Sequence, residues 1–160
     1  MSAEGSGPVV VTMNDQDDAV VDIAAWEALA RQVLQDEGIG PEAELNLTFV
    51  STDEMTSLNE SHMDKVGPTD VLSFPLEDDP LGIEVVLADG QPRLLGDVVI
   101  CPMVVHAQAP ESPVDEMALM VVHGVLHILG MDHQVDQEAE EMQAAEQRHL
   151  GRWLGERSVP

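Results

Sequence analysis

Between positions 114 and 129 the chain is apolar on nearly every side of a helical turn. Met117, Leu119, Met120, Val121, Val122, Val125, Leu126, Ile128 and Leu129 leave almost no polar face. A helix hydrophobic all round belongs in a protein's interior. Asp115 and Glu116 stand in its first turn, where carboxylates suit the positive end of the helix dipole, and Gly130 stands where a helix of this kind stops. The segment predicts a long central helix around which the rest of the chain packs. Two residues interrupt it, His123 and His127. Burying two imidazoles without partners is costly, so the pair calls for something to bind.

The other elements follow from period and punctuation. Residues 8–13 (PVVVTM) read as a first strand, short and β-branched. Residues 17–37 carry an apolar stripe at helical spacing (Val20, Ile23, Ala24, Trp26, Ala30, Val33, Leu34), with Gly38 as the stop. Residues 45–50 alternate as a half-buried strand. Ser51 and Glu54 form a capping box, which predicts a helix over 52–59. Residues 71–74 are a short strand ended by Pro75, and 94–101 are the clearest strand of all. Between them, 76–93 is acidic and broken by Pro80, Gly82, Gly90 and Pro92, a loop or excursion with room for a hairpin at 83–87. Residues 136–154 make a second, charged helix.

Strands and helices alternate early and helices dominate late. The expected fold is α/β (α+β): a small mixed sheet of about four strands packed with helices, with a metal site at the end of the long central helix. A length of 160 residues fits one domain over 1–160, with flexible ends at 1–7 and 156–160.

The lone Cys101 excludes an internal disulfide and suits a reducing compartment. It closes an apolar run with no cation or histidine beside it, so it reads as a small buried hydrophobe rather than a nucleophile. No signal peptide is visible and no run approaches the length of a membrane span; the cytoplasm is expected. The net charge is −25, with six basic residues against 31 acidic ones. Such a surface repels polyanions at long range and lacks the basic footprint of most nucleic-acid binders. Any action on RNA requires a local positive centre or the help of a partner.

His123 and His127 supply the means for such a centre. Four residues apart on a helix, they share one face about 6 Å apart along the axis. A third ligand must come from another direction; Gly130 can adopt positive φ, turn the chain and present His133. Three neutral imidazoles leave one tetrahedral position open, the arrangement of a catalytic rather than a structural zinc site, although imidazoles also suit nickel and copper. The same spacing occurs in the metzincin proteases, H-E-x-x-H-x-x-G-x-x-H. Here, however, Gly124 replaces the glutamate that serves as general base, and glycine neither accepts nor donates a proton. Phosphodiester cleavage asks less, since an ion polarises the phosphoryl oxygen and lowers the pKa of its own water towards about 7.

The stretch from His123 to His133 resembles the signature of the YbeY endoribonuclease family, H-G-x-L-H-x-x-G-x-D-H, including Gly124, Leu126 and Asp132. Residues 68–75 (PTDVLSFP) and 95–101 (LGDVVIC) are similar to that family's PTDVLSFP and LGDIVIC segments, and Glu138-Ala139-Glu140-Glu141-Met142 resembles its acidic last helix. The likeness covers about 45–150. It implies one zinc ion held by His123, His127 and His133. It also implies single-strand-specific endoribonuclease activity in ribosomal RNA maturation, notably at the 16S 3′ end, and in ribosome quality control. The implied partners are single-stranded or ribosomal RNA and ribosomal proteins or an assembly GTPase, with no membrane and no DNA.

The chain departs from the family's L-N-x-x-[YW]-R pattern at Leu58-Asn59-Glu60-Ser61-His62-Met63: Met63 stands at the position of the arginine. A thioether does not pair with phosphate; Lys65 offers a point charge two residues on, and His62 is either a surface residue or a second group facing the cleft. Asp132 either orients an imidazole or stabilises the turn after Gly130. Glu116, two helical turns before His123, serves the helix start. The catalytic base is not assigned: the attacking water is one that the metal activates. Three readings remain: an endoribonuclease, a ribosome-assembly factor with a mainly structural metal, and a metzincin-like protease opposed by Gly124.

Overall fold

A computed structural model describes residues 7–76, 93–131 and 136–158. The elements run β1 (Val9–Asp15), α1 (Ile23–Asp36), β2 (Ala43–Val50), α2 (Thr52–His62), β3 (Val71–Pro75), β4 (Arg93–Ile100), α3 (Pro102–Gln108), α4 (Pro113–Ile128) and α5 (Asp136–Ser158). The four strands form one sheet in the order β1-β2-β4-β3. β1, β2 and β4 are parallel, and β3 closes the β4 edge antiparallel, pairing Val71 with Ile100 and Phe74 with Asp97. A small mixed sheet of four strands with helices is thus the fold the sequence predicted.

Alternation sets the two faces of the sheet. Val10, Leu45, Leu47, Phe49, Val98 and Ile100 are buried with residues of α1 and α4 in the main core. Val50, Leu72, Val99 and Cys101 form a smaller cluster on the other side with Met55 of α2. α4 is the central element: Met117, Ala118, Val121, Val122, Val125, Leu126 and Ile128 are all at most 1% exposed. Each such side chain contributes on the order of 1.5–3 kcal/mol on burial, so its all-round apolar character is what holds it in the middle.

Local chemistry explains the boundaries. Ser51 Oγ accepts from Glu54 N at 3.2 Å, the backbone half of the capping box, and α2 continues to His62, past the 59 expected. α1 begins at Ile23 rather than near 17. Gln16 binds both Ala19 N and Ala19 O, folding 16–19 into a turn, and Asp22 then caps the helix through Ala25 N; Val20 is accordingly 97% exposed rather than part of the stripe. α5 runs on to Ser158, beyond the 154 expected. The acidic excursion, its hairpin at 83–87, and most of the ends expected to be flexible lie outside the described residues.

α5 returns to pack on α1 and α4. Met142, Ala145 and His149 are buried along one stripe, Trp153 meets Trp26 with ring centroids 5.6 Å apart, and Glu37 at the end of α1 accepts from Arg148 and His149, each at 2.7 Å. Among the described residues no helix is long and apolar enough to cross a membrane.

Candidate functional site

α4 ends in a paired-bond cap. Gly130 N donates to His127 O and Met131 N to Leu126 O, each at 3.0 Å, and Gly130 takes φ 97°. This is the glycine-dependent stop that redirects the chain after the last turn, as the sequence predicted. The turn leaves His127 in the final turn of the helix, where the dipole's negative end favours a cation. His133 and Asp132, the third expected ligand and the candidate orienting acid, lie outside the described residues.

His123 and His127 point to one place. Their Nε2 atoms are 3.0 Å apart, with ring centroids 4.5 Å apart and planes inclined at 72°. Two ligands of a tetrahedral zinc at ordinary Zn–N lengths stand about 3.3 Å apart, so the pair needs to open by only a few tenths of an ångström to share an ion. The donor set also fits, because neutral imidazole is the commonest protein ligand for such metals. Among the described residues, no third His, Cys, Asp or Glu completes a group able to hold a metal.

The other nitrogen of His123 is engaged too. Its Nδ1 lies 2.5 Å from Glu146 Oε2 of α5. The sequence reading passed over Glu146. A signal for it was present: Glu146 falls on the stripe of Met142, Ala145 and His149, and a carboxylate beside an apolar stripe needs a partner.

The imidazoles open into a cleft of about 400 Å³ that is also lined by Val71 and Ser73 of β3, by Met131 and by Met63. Ser73 Oγ donates to Gly124 O at 2.9 Å, tying the edge strand to α4. Gly124 is in this position for packing: a β-carbon there would stand 2.6 Å from Val98 Cγ1 and 3.3 Å from Val71 Cγ2. A glutamate has no room at 124 without a shift of Val98, so the packing itself disfavours the metzincin general base at this position. Met63 is 44% exposed at the mouth, in the place where the resemblance calls for arginine. No lysine or arginine is among the described residues lining the cleft. Lys65 is exposed and outside it, and His62 turns to the opposite side of the sheet against Phe74, with ring centroids 5.4 Å apart. Glu116 sits in the first turn of α4, far from the imidazoles.

The PTD segment has a structural role. Asp70 Oδ1 accepts from Val71 N at 2.7 Å, Asp70 O accepts from Cys101 N, and the buried Asn59 holds Gly67 O at 2.8 Å. Together they fix the entry into β3 and hence the cleft wall. Cys101 is fully buried, and burial raises its thiol pKa, as befits a core residue.

A family model described as Endoribonuclease YbeY matches residues 11–154. The chain belongs to the YbeY family. The Endoribonuclease YbeY of Salinispora tropica is 40% identical over 92% of this chain and 98% of its own length. That of Acidothermus cellulolyticus is 43% identical over 82% of this chain and 83% of its own. The solution structure of TM1509 from Thermotoga maritima superposes with a TM-score of 0.64 at 26% identity, covering 95% of this chain and 94% of that one. The YbeY family is one of endoribonucleases acting in ribosomal RNA processing, and it implies a metal cofactor.

Proposed function

We propose that this chain is a single-strand-specific endoribonuclease of one domain that uses one zinc ion held by His123, His127 and His133 to mature ribosomal RNA, including the 16S 3′ end. Its family makes it an RNA-hydrolysing enzyme; the convergence of the His123 and His127 Nε2 atoms, 3.0 Å apart at the cleft floor, carries the assignment of the centre. The ion, when bound, supplies a Lewis acid for a phosphoryl oxygen and lowers the pKa of water.

The chain's own residues do the rest. The two imidazoles hold the cation in the open cleft. Gly130, with its positive φ, turns the chain away from the helix axis directly after the turn that carries His127. Val71, Met63 and Met131 give the cleft apolar walls, and low-dielectric surroundings strengthen charge interactions beside them. With no lysine or arginine among the described residues lining the cleft, a bound metal would supply the positive charge that counters a phosphate. Single-strand specificity agrees with recognition of splayed-out rather than paired nucleotides. The site of action is the cytoplasm, beside ribosomal proteins or an assembly GTPase, with neither membrane nor DNA involved.

The test is cleavage of a single-stranded ribosomal RNA fragment by purified protein. Cleavage is expected with zinc, to disappear on chelation and to return with the metal, and His127→Ala is expected to lose both zinc and cleavage while keeping its circular dichroism. If the zinc-loaded chain leaves RNA intact yet retains ribosomal proteins, the chain is an assembly factor whose metal serves the fold. The acidic surface and the lack of lysine or arginine among the described residues lining the cleft favour that second reading.

A further inference from the structure

We infer that Glu146 is a positioning residue for the metal centre, holding His123 in the tautomer that presents Nε2 to the cation. The inference rests on the proposed role of His123 and His127 as ligands. It adds a residue from α5 that the ligand motif does not contain.

The chemistry of the pair assigns the direction of the proton. A carboxylate is acceptor-only, so the hydrogen between Glu146 Oε2 and His123 Nδ1, 2.5 Å apart, belongs to the ring. A neutral imidazole carrying its proton on Nδ1 has its lone pair on Nε2. That atom is the one facing His127 Nε2 across 3.0 Å. The carboxylate therefore selects the ligating nitrogen, orients the ring and supplies negative charge behind it, as outer partners of metal-bound histidines do elsewhere.

Glu146 is placed firmly enough for this. Its side chain is 14% exposed against 26% for His123, whereas Glu138, Glu140 and Glu141 on the same helix are exposed to solvent. Met142, Ala145 and His149 bury the flanking turns. The Glu37 and Asp36 contacts with Arg148, His149 and Arg152 lock the helix to α1. A rigid helix, rather than a loop, thus sets the position of the acid.

The experiment measures zinc affinity of the full chain by competition with a chromophoric chelator, independently of RNA cleavage. Glu146→Met removes the acceptor at similar volume, Glu146→Ala removes it with the side chain, and Glu146→Gln keeps an amide oxygen that can accept from Nδ1. The Met and Ala variants are expected to bind zinc about 10- to 100-fold more weakly, with the Gln variant between them and wild type. Nitrogen NMR of the zinc-free chain is expected to show His123 protonated at Nδ1 in wild type and in the Gln variant, and tautomerically mixed in the Met variant. Should Glu146→Ala fail to fold by circular dichroism, the Met and Gln pair decides. Wild-type affinity in the folded Met variant overturns the inference, as does a Gln variant no tighter than Met. If His127→Ala also binds zinc like wild type, it is the metal centre itself that fails; if His127→Ala loses zinc while the Met variant keeps it, only the role of Glu146 fails.

Discussion

Val98 on β4 approaches the backbone of Gly124 so closely that a β-carbon at position 124 would meet its Cγ1 at 2.6 Å. Both residues are completely or nearly buried, so neither can move aside into solvent. Gly124→Ala is expected to destabilise the fold by about 1–3 kcal/mol, the usual cost of overpacking, and to lower the melting temperature by roughly 2–4 °C for each of those kcal/mol. In a Val98→Ala background most of the added cost should vanish. A double-mutant cycle measured by urea unfolding checks it, and an additive pair would show that the contact is not the cause.

Met63 stands at the mouth of the cleft without a charge. Met63→Arg is expected to tighten single-stranded RNA binding by about tenfold, because a charge-assisted contact contributes on the order of 1.5 kcal/mol. It should also steepen the dependence of log affinity on log salt by about 0.7, one phosphate's worth for a single strand. Filter binding at several salt concentrations reads both quantities; a tighter but equally salt-sensitive variant would point away from a phosphate contact.

Glu37 serves two donors from α5, Arg148 and the buried His149. Glu37→Ala leaves His149 without that acceptor in a site only 3% exposed. A loss of about 1–3 kcal/mol is expected, read as a lower urea midpoint at unchanged slope. Arg148→Ala, which removes only an exposed ion pair, should cost well under 1 kcal/mol.

Burial raises the Cys101 thiol above its ordinary range. The unfolded chain therefore releases this proton at lower pH than the folded one. Between the ordinary thiol value, 9.0, and the raised folded value, the unfolded state binds fewer protons, so stability falls as pH rises and is fully present below that window. Urea unfolding from pH 7 to 10 measures the slope, and Cys101→Ala should flatten it by the contribution of one group. Alkylation of the native chain near pH 8 should be slow and become fast on unfolding.

The sequence made α4 legible because an all-round apolar helix has one destination, and it made His123 and His127 legible because a four-residue spacing fixes their common face. Gly130 was readable for the same reason, since its place after the last turn demands a positive φ. Gly124 was readable only in part. Its lack of acid–base chemistry is a property of the residue, but the reason for its presence is Val98, which is distant in sequence. The start of α1 was misplaced because Val20 keeps the helical period, while the turn built by Gln16 has no periodic signal. Glu146 was missed because the chain carries many carboxylates: its place on the apolar stripe of the last helix marks it as needing a partner, but only three-dimensional packing shows that the partner is an imidazole 23 residues away. The strand order is equally a tertiary fact: β4 enters between β2 and β3, which alternation within each strand does not encode.

The pairing of His123 with an acid on α5 also imposes a timetable. Chains emerge N-terminus first, so the sheet and α4 leave the ribosome before the segment that carries Glu146. Until that final helix docks, His123 has no carboxylate behind its ring, so the orientation of this imidazole is among the last details of the fold to be set.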